Sequence, residues 1–197
     1  MLNFMVKSSV ERLIRNGIIK ESERELYYFG VNGLCLFLVN IATSVIIGIL
    51  FGMLWQSLLF SAAYIPLRSY AGGYHAKTPG MCYILSTILI ACVLMVIKYA
   101  PLSTMGMHTA LLASMIVIFV KAPIESENKP LSKRERAVYR RKARWLVLLE
   151  ISISLIAWNL FTTSVKCIIA AVGCCAMMII FSSIRQWSQK RGVNQWE

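Results

Sequence analysis

Apolar residues fall in runs long enough to cross a bilayer, with polar residues gathered between them. Residues 31–53 carry no formal charge, which suffices for a first span of about 20 residues. A second run, 54–67, follows almost at once. It is short, so tilt, an earlier start near Gly48 or Gly52, or extension into the next segment must supply its length. Runs at 82–97 and 107–120 predict a third and fourth span, joined by a turn with Lys98 and Pro101; 145–161 and 167–184 predict a fifth and sixth. Ahead of them, residues 1–26 read as one amphipathic helix. Leu2, Val6, Val10, Leu13, Ile14 and Ile18 recur at helical spacing, with Glu11, Arg12 and Arg15 opposite. The expected fold is all-α: a polytopic integral membrane protein with about six transmembrane helices and an N-terminal amphipathic interfacial helix. It divides into the helix 1–26, a membrane domain 27–184 and a basic tail 185–197.

Composition agrees with that class. The 197 residues are 57% hydrophobic and 15% charged, with mean hydropathy +0.63, too apolar for an ordinary soluble domain. Charge sets the expected orientation. The net +12 is concentrated between apolar runs rather than on one soluble face, which argues against nucleic-acid binding. The stretch 121–144 holds nine basic residues and three acidic ones, a cytoplasmic loop by the positive-inside rule. Four spans precede it and two follow, so both termini and the loop 68–81 are expected in the cytoplasm, with 98–106 and 162–166 outside. The N-terminal stretch is too charged for the apolar core of a cleavable signal. Of the six cysteines most lie within apolar runs, where cysteine packs as a small hydrophobe, and no CxxC pair occurs.

Cys82 has a different setting. Thr78-Pro79 reads as an N-cap followed by proline at the first helical position, which puts Cys82 in the first turn of the third span. Unpaired N–H groups and the helix dipole favour an anion there. His75 lies seven residues upstream. On a continuous helix the two would stand about 10 Å apart along the axis, but a break at Thr78-Pro79-Gly80 lets the chain fold back and bring imidazole towards sulfur. A Cys–His pair suffices for acyl transfer: histidine holds the thiol proton, sulfur attacks a carbonyl, and imidazolium protonates the leaving amine. Oxyanion donors would come from backbone N–H groups near Cys82 or from Arg68, while Gly72 and Gly73 permit tight turns or close substrate approach. Two ligands are not the four of a structural zinc site, so neither metal nor cofactor is expected.

The whole chain resembles the AgrB family, membrane endopeptidases of peptide quorum-sensing systems. Arg68…Gly72-Gly73-Tyr74-His75 followed by Cys82 looks like the family's active-site signature, and Ala122-Pro123-Ile124-Glu125-Ser126-Glu127-Asn128-Lys129-Pro130-Leu131 is similar to its segment after the fourth span. The resemblance implies that His75 and Cys82 are catalytic. It also implies that the substrate is an AgrD-like propeptide with an amphipathic leader and an acidic C-terminal tail. Cys82 would release the tail and hold the remainder as a thioester, which a cysteine or serine of the peptide displaces to close a thiolactone or lactone.

The basic stretch suits such a tail. Arg140, Arg141 and Lys142 are expected to bind it, in competition with anionic lipid of the bilayer. Glu125 or Asn128 could orient His75, as a carboxylate or amide orients histidine in triads. Glu150 sits shallow enough to reach headgroups or pair with Arg144, and His108 belongs to the outer side. A homodimer is compatible with a six-span enzyme. The rival readings are a small membrane transporter or peptide exporter, and a scaffold that binds acidic partners.

Overall fold

In the computed structural model the described residues are 2–73, 79–101, 103–125, 131–158 and 162–193. They form seven α-helices: α1 (Leu2–Arg15), α2 (Arg24–Leu50), α3 (Leu54–Ala71), α4 (Pro79–Tyr99), α5 (Thr104–Lys121), α6 (Lys133–Ala157) and α7 (Thr162–Val193). The protein is an all-α membrane protein. Among the described residues, four stretches are long and apolar enough to cross a bilayer: Glu21–Leu50, Gly80–Tyr99, Thr104–Lys121 and Thr162–Ser188. The expected second and fifth spans correspond to α3 and α6, which fall short by that measure. Helix α3 carries Gln56, Pro66 and Arg68, and the apolar part of α6, 145–157, is shorter than the roughly 20 residues a span needs.

Several expected boundaries move, each for a local reason. The N-terminal helix expected over 1–26 ends at Arg15, because Gly17 adopts φ +68. The Gly17 N–H reaches Ile14 O and the Ile18 N–H reaches Leu13 O, which closes the helix with a left-handed glycine cap. A 3-10 turn at Glu21–Glu23 then leads into α2. Val6 and Val10 are buried against α2, while Ile18, assigned to the apolar face, is exposed. The basic stretch 121–144 is no loop beyond Ser132: the Ser132 side chain accepts from the Glu135 N–H, and Glu135 accepts from the Ser132 N–H, a capping box that starts α6. The tail expected from 185 continues α7 to Val193.

Helix α7 is the axis of the bundle and packs on α3, α5 and α6, and lightly on α4. Its small side chains allow this. Val172, Cys175, Ala176 and Ile179 pack with Leu67 and Ala71 of α3, Leu111 and Ile118 of α5 and Val147 of α6, while Ala171 packs with Phe60 of α3 and Leu94 of α4. Helices α2 and α3 form a tight hairpin. The Met53 N–H closes onto Gly48 O at 2.7 Å, and a Cβ on Gly48 would come within 2.9 Å of the Ser57 Cβ, so only glycine lets the two helices meet there.

Candidate active site

The last turn of α3 carries Arg68 and ends at Gly72, whose φ of +76 and ψ of −153 lie in a region that side chains close off. The Gly72 N–H donates to Arg68 O at 3.1 Å, and Arg68 Nη1 turns back to donate to Gly72 O at 2.6 Å. A Cβ on Gly72 would run into the carbonyl oxygen of Ile124. That approach is the centre of the site. The Ile124 N–H donates to Ala71 O at 3.0 Å, and Gly72 and Ile124 form an isolated parallel β-bridge. The two signature segments, far apart in the chain, therefore lie edge to edge. The second is held from two more helices: Gln186 of α7 donates to Glu125 O at 2.7 Å, and Arg136 of α6 stands 3.6 Å from the Glu125 carboxylate. A cleft of about 360 Å³ opens here, lined by Arg68, Gly72, Pro123, Glu125, Tyr139 and their neighbours.

Cys82 is the fourth residue of α4, which begins at Pro79 as the proline signal predicts. It is a free, half-buried cysteine, and its carbonyl accepts from Ser86 Oγ at 3.0 Å. Lys98, at the C-terminal end of α4, reaches Phe51 O at the turn between α2 and α3, so α4 runs opposite to α3 and its first turn, with Cys82, points towards the end of the bundle where α3 closes at Gly72. Tyr64, one helical turn before Arg68, stacks on Phe60 with ring centroids 5.3 Å apart. Sequence reasoning passed over Tyr64, although its i, i+4 spacing to Arg68 was a signal. It also passed over Gln186, for which no signal exists.

His75 and Asn128 lie outside the described residues. Gly73, at φ +126, sits under the Arg68 guanidinium. Arg140, Arg141 and Lys142 are exposed on α6, with Arg140 and Arg141 lining one groove and Arg141 and Lys142 another. Lys142 Nζ lies 4.8 Å from the Tyr70 ring centroid and 3.5 Å from its hydroxyl, close to Gly72, whereas Arg140 lines a groove with Phe119. Glu150 departs from expectation. It faces inward, 7% exposed, on the α6 face with Val147 and Ser154. Arg144, its expected partner, instead donates to Phe119 O at 2.9 Å. Helical periodicity explains the difference, since Ala143, Val147, Glu150 and Ser154 share one stripe. His108, at the start of α5, holds its ring 4.4 Å from the Trp158 ring and tilted by 52°, about 20 Å along that helix from Ala122.

A family model described as accessory gene regulator B matches residues 6–188. The chain belongs to the accessory gene regulator B family. Membership places it in the accessory gene regulator quorum-sensing system. Relatives agree in kind. An AgrB-like protein of Clostridium perfringens strain SM101 is 24% identical over 76% of this chain and 75% of its own length. Accessory gene regulator protein B of Staphylococcus saprophyticus is 32% identical over 55% of this chain and 58% of its own. Protein FsrB of Enterococcus faecalis is 29% identical over 60% of this chain and 50% of its own. No solved structure matches the chain. The residues that the structure brings together, Arg68, Gly72, Gly73, Ile124 and Glu125, lie within the stretch that the accessory gene regulator B model covers.

Proposed function

We propose that the protein is a membrane cysteine endopeptidase that removes the acidic C-terminal tail of an AgrD-like propeptide and promotes ring closure of the remainder. The observation that carries this reading is the position of Cys82 in the first turn of α4, a helix that runs opposite to α3 and so starts towards the bundle end where Gly72 and Ile124 pair. In the proposed reaction His75 takes the Cys82 proton and the sulfur attacks the carbonyl before the tail. The C–N bond breaks, the imidazolium protonates the departing amine, and an acyl thioester remains on Cys82. A peptide thiol or hydroxyl then attacks the thioester and returns the sulfur to Cys82. With a thiol this exchanges one thioester for another, so it needs little driving force once water is kept out. Backbone N–H groups of the first turn of α4 are oriented towards a developing negative charge, and Arg68 stands at the same end of the bundle. Glu125 or Asn128 orients His75 in this scheme. Gly72 and Gly73 admit the peptide backbone closely, and Arg140, Arg141 and Lys142 attract its acidic tail.

In this arrangement α2 to α7 all cross the bilayer, with the site, both termini and the basic half of α6 in the cytoplasm. The test uses protein in lipid vesicles with its propeptide, read by mass spectrometry. Wild type should release the tail and carry an acyl adduct on Cys82. Cys82→Ser should do neither, and His75→Ala should lose most of the rate. Tail release by a well-folded Cys82→Ser protein would overturn Cys82 as the nucleophile, and wild type that releases no tail would favour an exporter or scaffold, for which both substitutions are neutral.

A further inference from the structure

The helix that carries Cys82 is attached to the rest of the protein in an unusual way. Helix α4 packs chiefly on α2 and only lightly on α3 and α7. Two side-chain hydrogen bonds clasp it to α2: Thr43 with Tyr83 at 2.8 Å, and Lys98 Nζ to Phe51 O at 2.8 Å. The first lies one residue from Cys82. Its direction follows from a second bond, because Thr43 Oγ1 spends its single proton on Val39 O at 2.9 Å. The Tyr83 hydroxyl is therefore the donor and Thr43 the acceptor.

The next residue of α2 holds α3. Ser44 O accepts from Ser57 Oγ at 2.7 Å in a buried contact, beside the close approach at Gly48. Adjacent residues of α2 thus fasten the helix that ends in Arg68 and Gly72 and the helix that begins before Cys82. We infer that Thr43, through its hydrogen bond from Tyr83, is a positioning residue that sets the Cys82 thiol relative to the Arg68–Gly73 segment. This rests on the peptidase reading. Thr43 and Tyr83 are both half-buried, so water only partly replaces a lost partner and the first turn of α4 shifts when either hydroxyl is removed. A displacement of about 1 Å at a reacting group is enough to cost orders of magnitude in rate.

The test compares Tyr83→Phe, Thr43→Val, Thr43→Ser and the double Tyr83→Phe/Thr43→Val in vesicles, each checked for monodispersity and helicity. Tyr83→Phe is the cleaner probe, since it leaves the Thr43–Val39 bond intact. Both single losses should lower kcat roughly tenfold with KM unchanged, and the double should be no worse than the worse single. Thr43→Ser keeps the acceptor and should recover most of the rate. The rate of Cys82 alkylation by iodoacetamide, read on the Cys82 peptide, should change in parallel without any substrate present. Wild-type kcat in Tyr83→Phe, additive losses in the double, or Thr43→Ser as impaired as Thr43→Val would each overturn the inference. Cys82→Ser in the same assay separates the two claims. If it still cleaves, the reading of Cys82 as nucleophile fails; if it is inactive while Tyr83→Phe matches wild type, only the positioning role fails.

Discussion

The two halves of the site are built on different terms. The segment from Arg68 to Gly73 is locked to Ile124 by backbone pairing and braced by Arg136 of α6 and Gln186 of α7, so α3, α5, α6 and α7 all converge on it. Cys82 rides on α4, which leans mainly on α2 and is clasped there at its two ends. One half is fixed by backbone pairing and several helices, and the other rests mainly on one neighbouring helix, with lighter packing on α3 and α7. The proposed acyl transfer would need a rigid frame for the carbonyl and a nucleophile held at the correct distance from it. The contrast predicts that damage to the first half destroys the site, whereas damage to the second misplaces it.

Gly72→Ala should have the largest effect. Alanine is strained at that φ and ψ, at a cost of about 1–3 kcal/mol, and its methyl group would strike the Ile124 carbonyl. The two signature segments must then part. Tail cleavage should fall by more than about 100-fold, with Cys82 alkylation by iodoacetamide little changed because α4 is held elsewhere. Parallel loss of both readouts would mean that the halves are a single unit, and the contrast would be broken.

Gly48→Ala probes the joint between them. A methyl group there would come 2.9 Å from the Ser57 Cβ and 3.0 Å from the Leu54 Cα, forcing α2 away from α3. Overpacking of this kind costs about 1–3 kcal/mol. Because α2 carries α4, the separation should also move Cys82 and lower kcat by about tenfold, measured beside the thermal midpoint in detergent. A stability loss with unchanged kcat would show that α4 does not follow α2.

Much of this architecture is legible in the chain. The runs behind α2, α4, α5 and α7 are uninterrupted, and the proline before Cys82 marks the start of α4. The start of α6 was legible too, in Ser132 and Glu135, but the surrounding basic residues drew the reading towards a loop. Charge reports which side of a bilayer a segment prefers, not whether it is helical. The glycine pair stood out as chemistry, yet its partner could not be found: Ile124 pairs through its backbone, which leaves no mark on side-chain pattern. The same holds for Gln186, whose amide reaches a carbonyl and not a side chain. Glu150 shows the reverse: its depth along α6 is legible in the sequence, but the helical stripe it shares with Val147 and Ser154 decides its burial.

The smallest effect belongs to the far clasp. Lys98 Nζ meets Phe51 O at the C-terminus of α2, where carbonyls lack helical partners and the dipole favours a cation. Such a contact contributes about 0.3–1 kcal/mol, and Lys98→Met should lower the thermal midpoint by a correspondingly small amount. It lies about 24 Å along α4 from Cys82. If the first turn of α4 is set locally, by Tyr83 on Thr43, freeing the other end lets α4 pivot about that turn and leaves the sulfur in place. Cleavage by Lys98→Met should then stay within about twofold of wild type while Tyr83→Phe loses far more. Equal losses would mean that α4 behaves as one stiff rod whose whole length sets the thiol, and the near clasp would have no special standing.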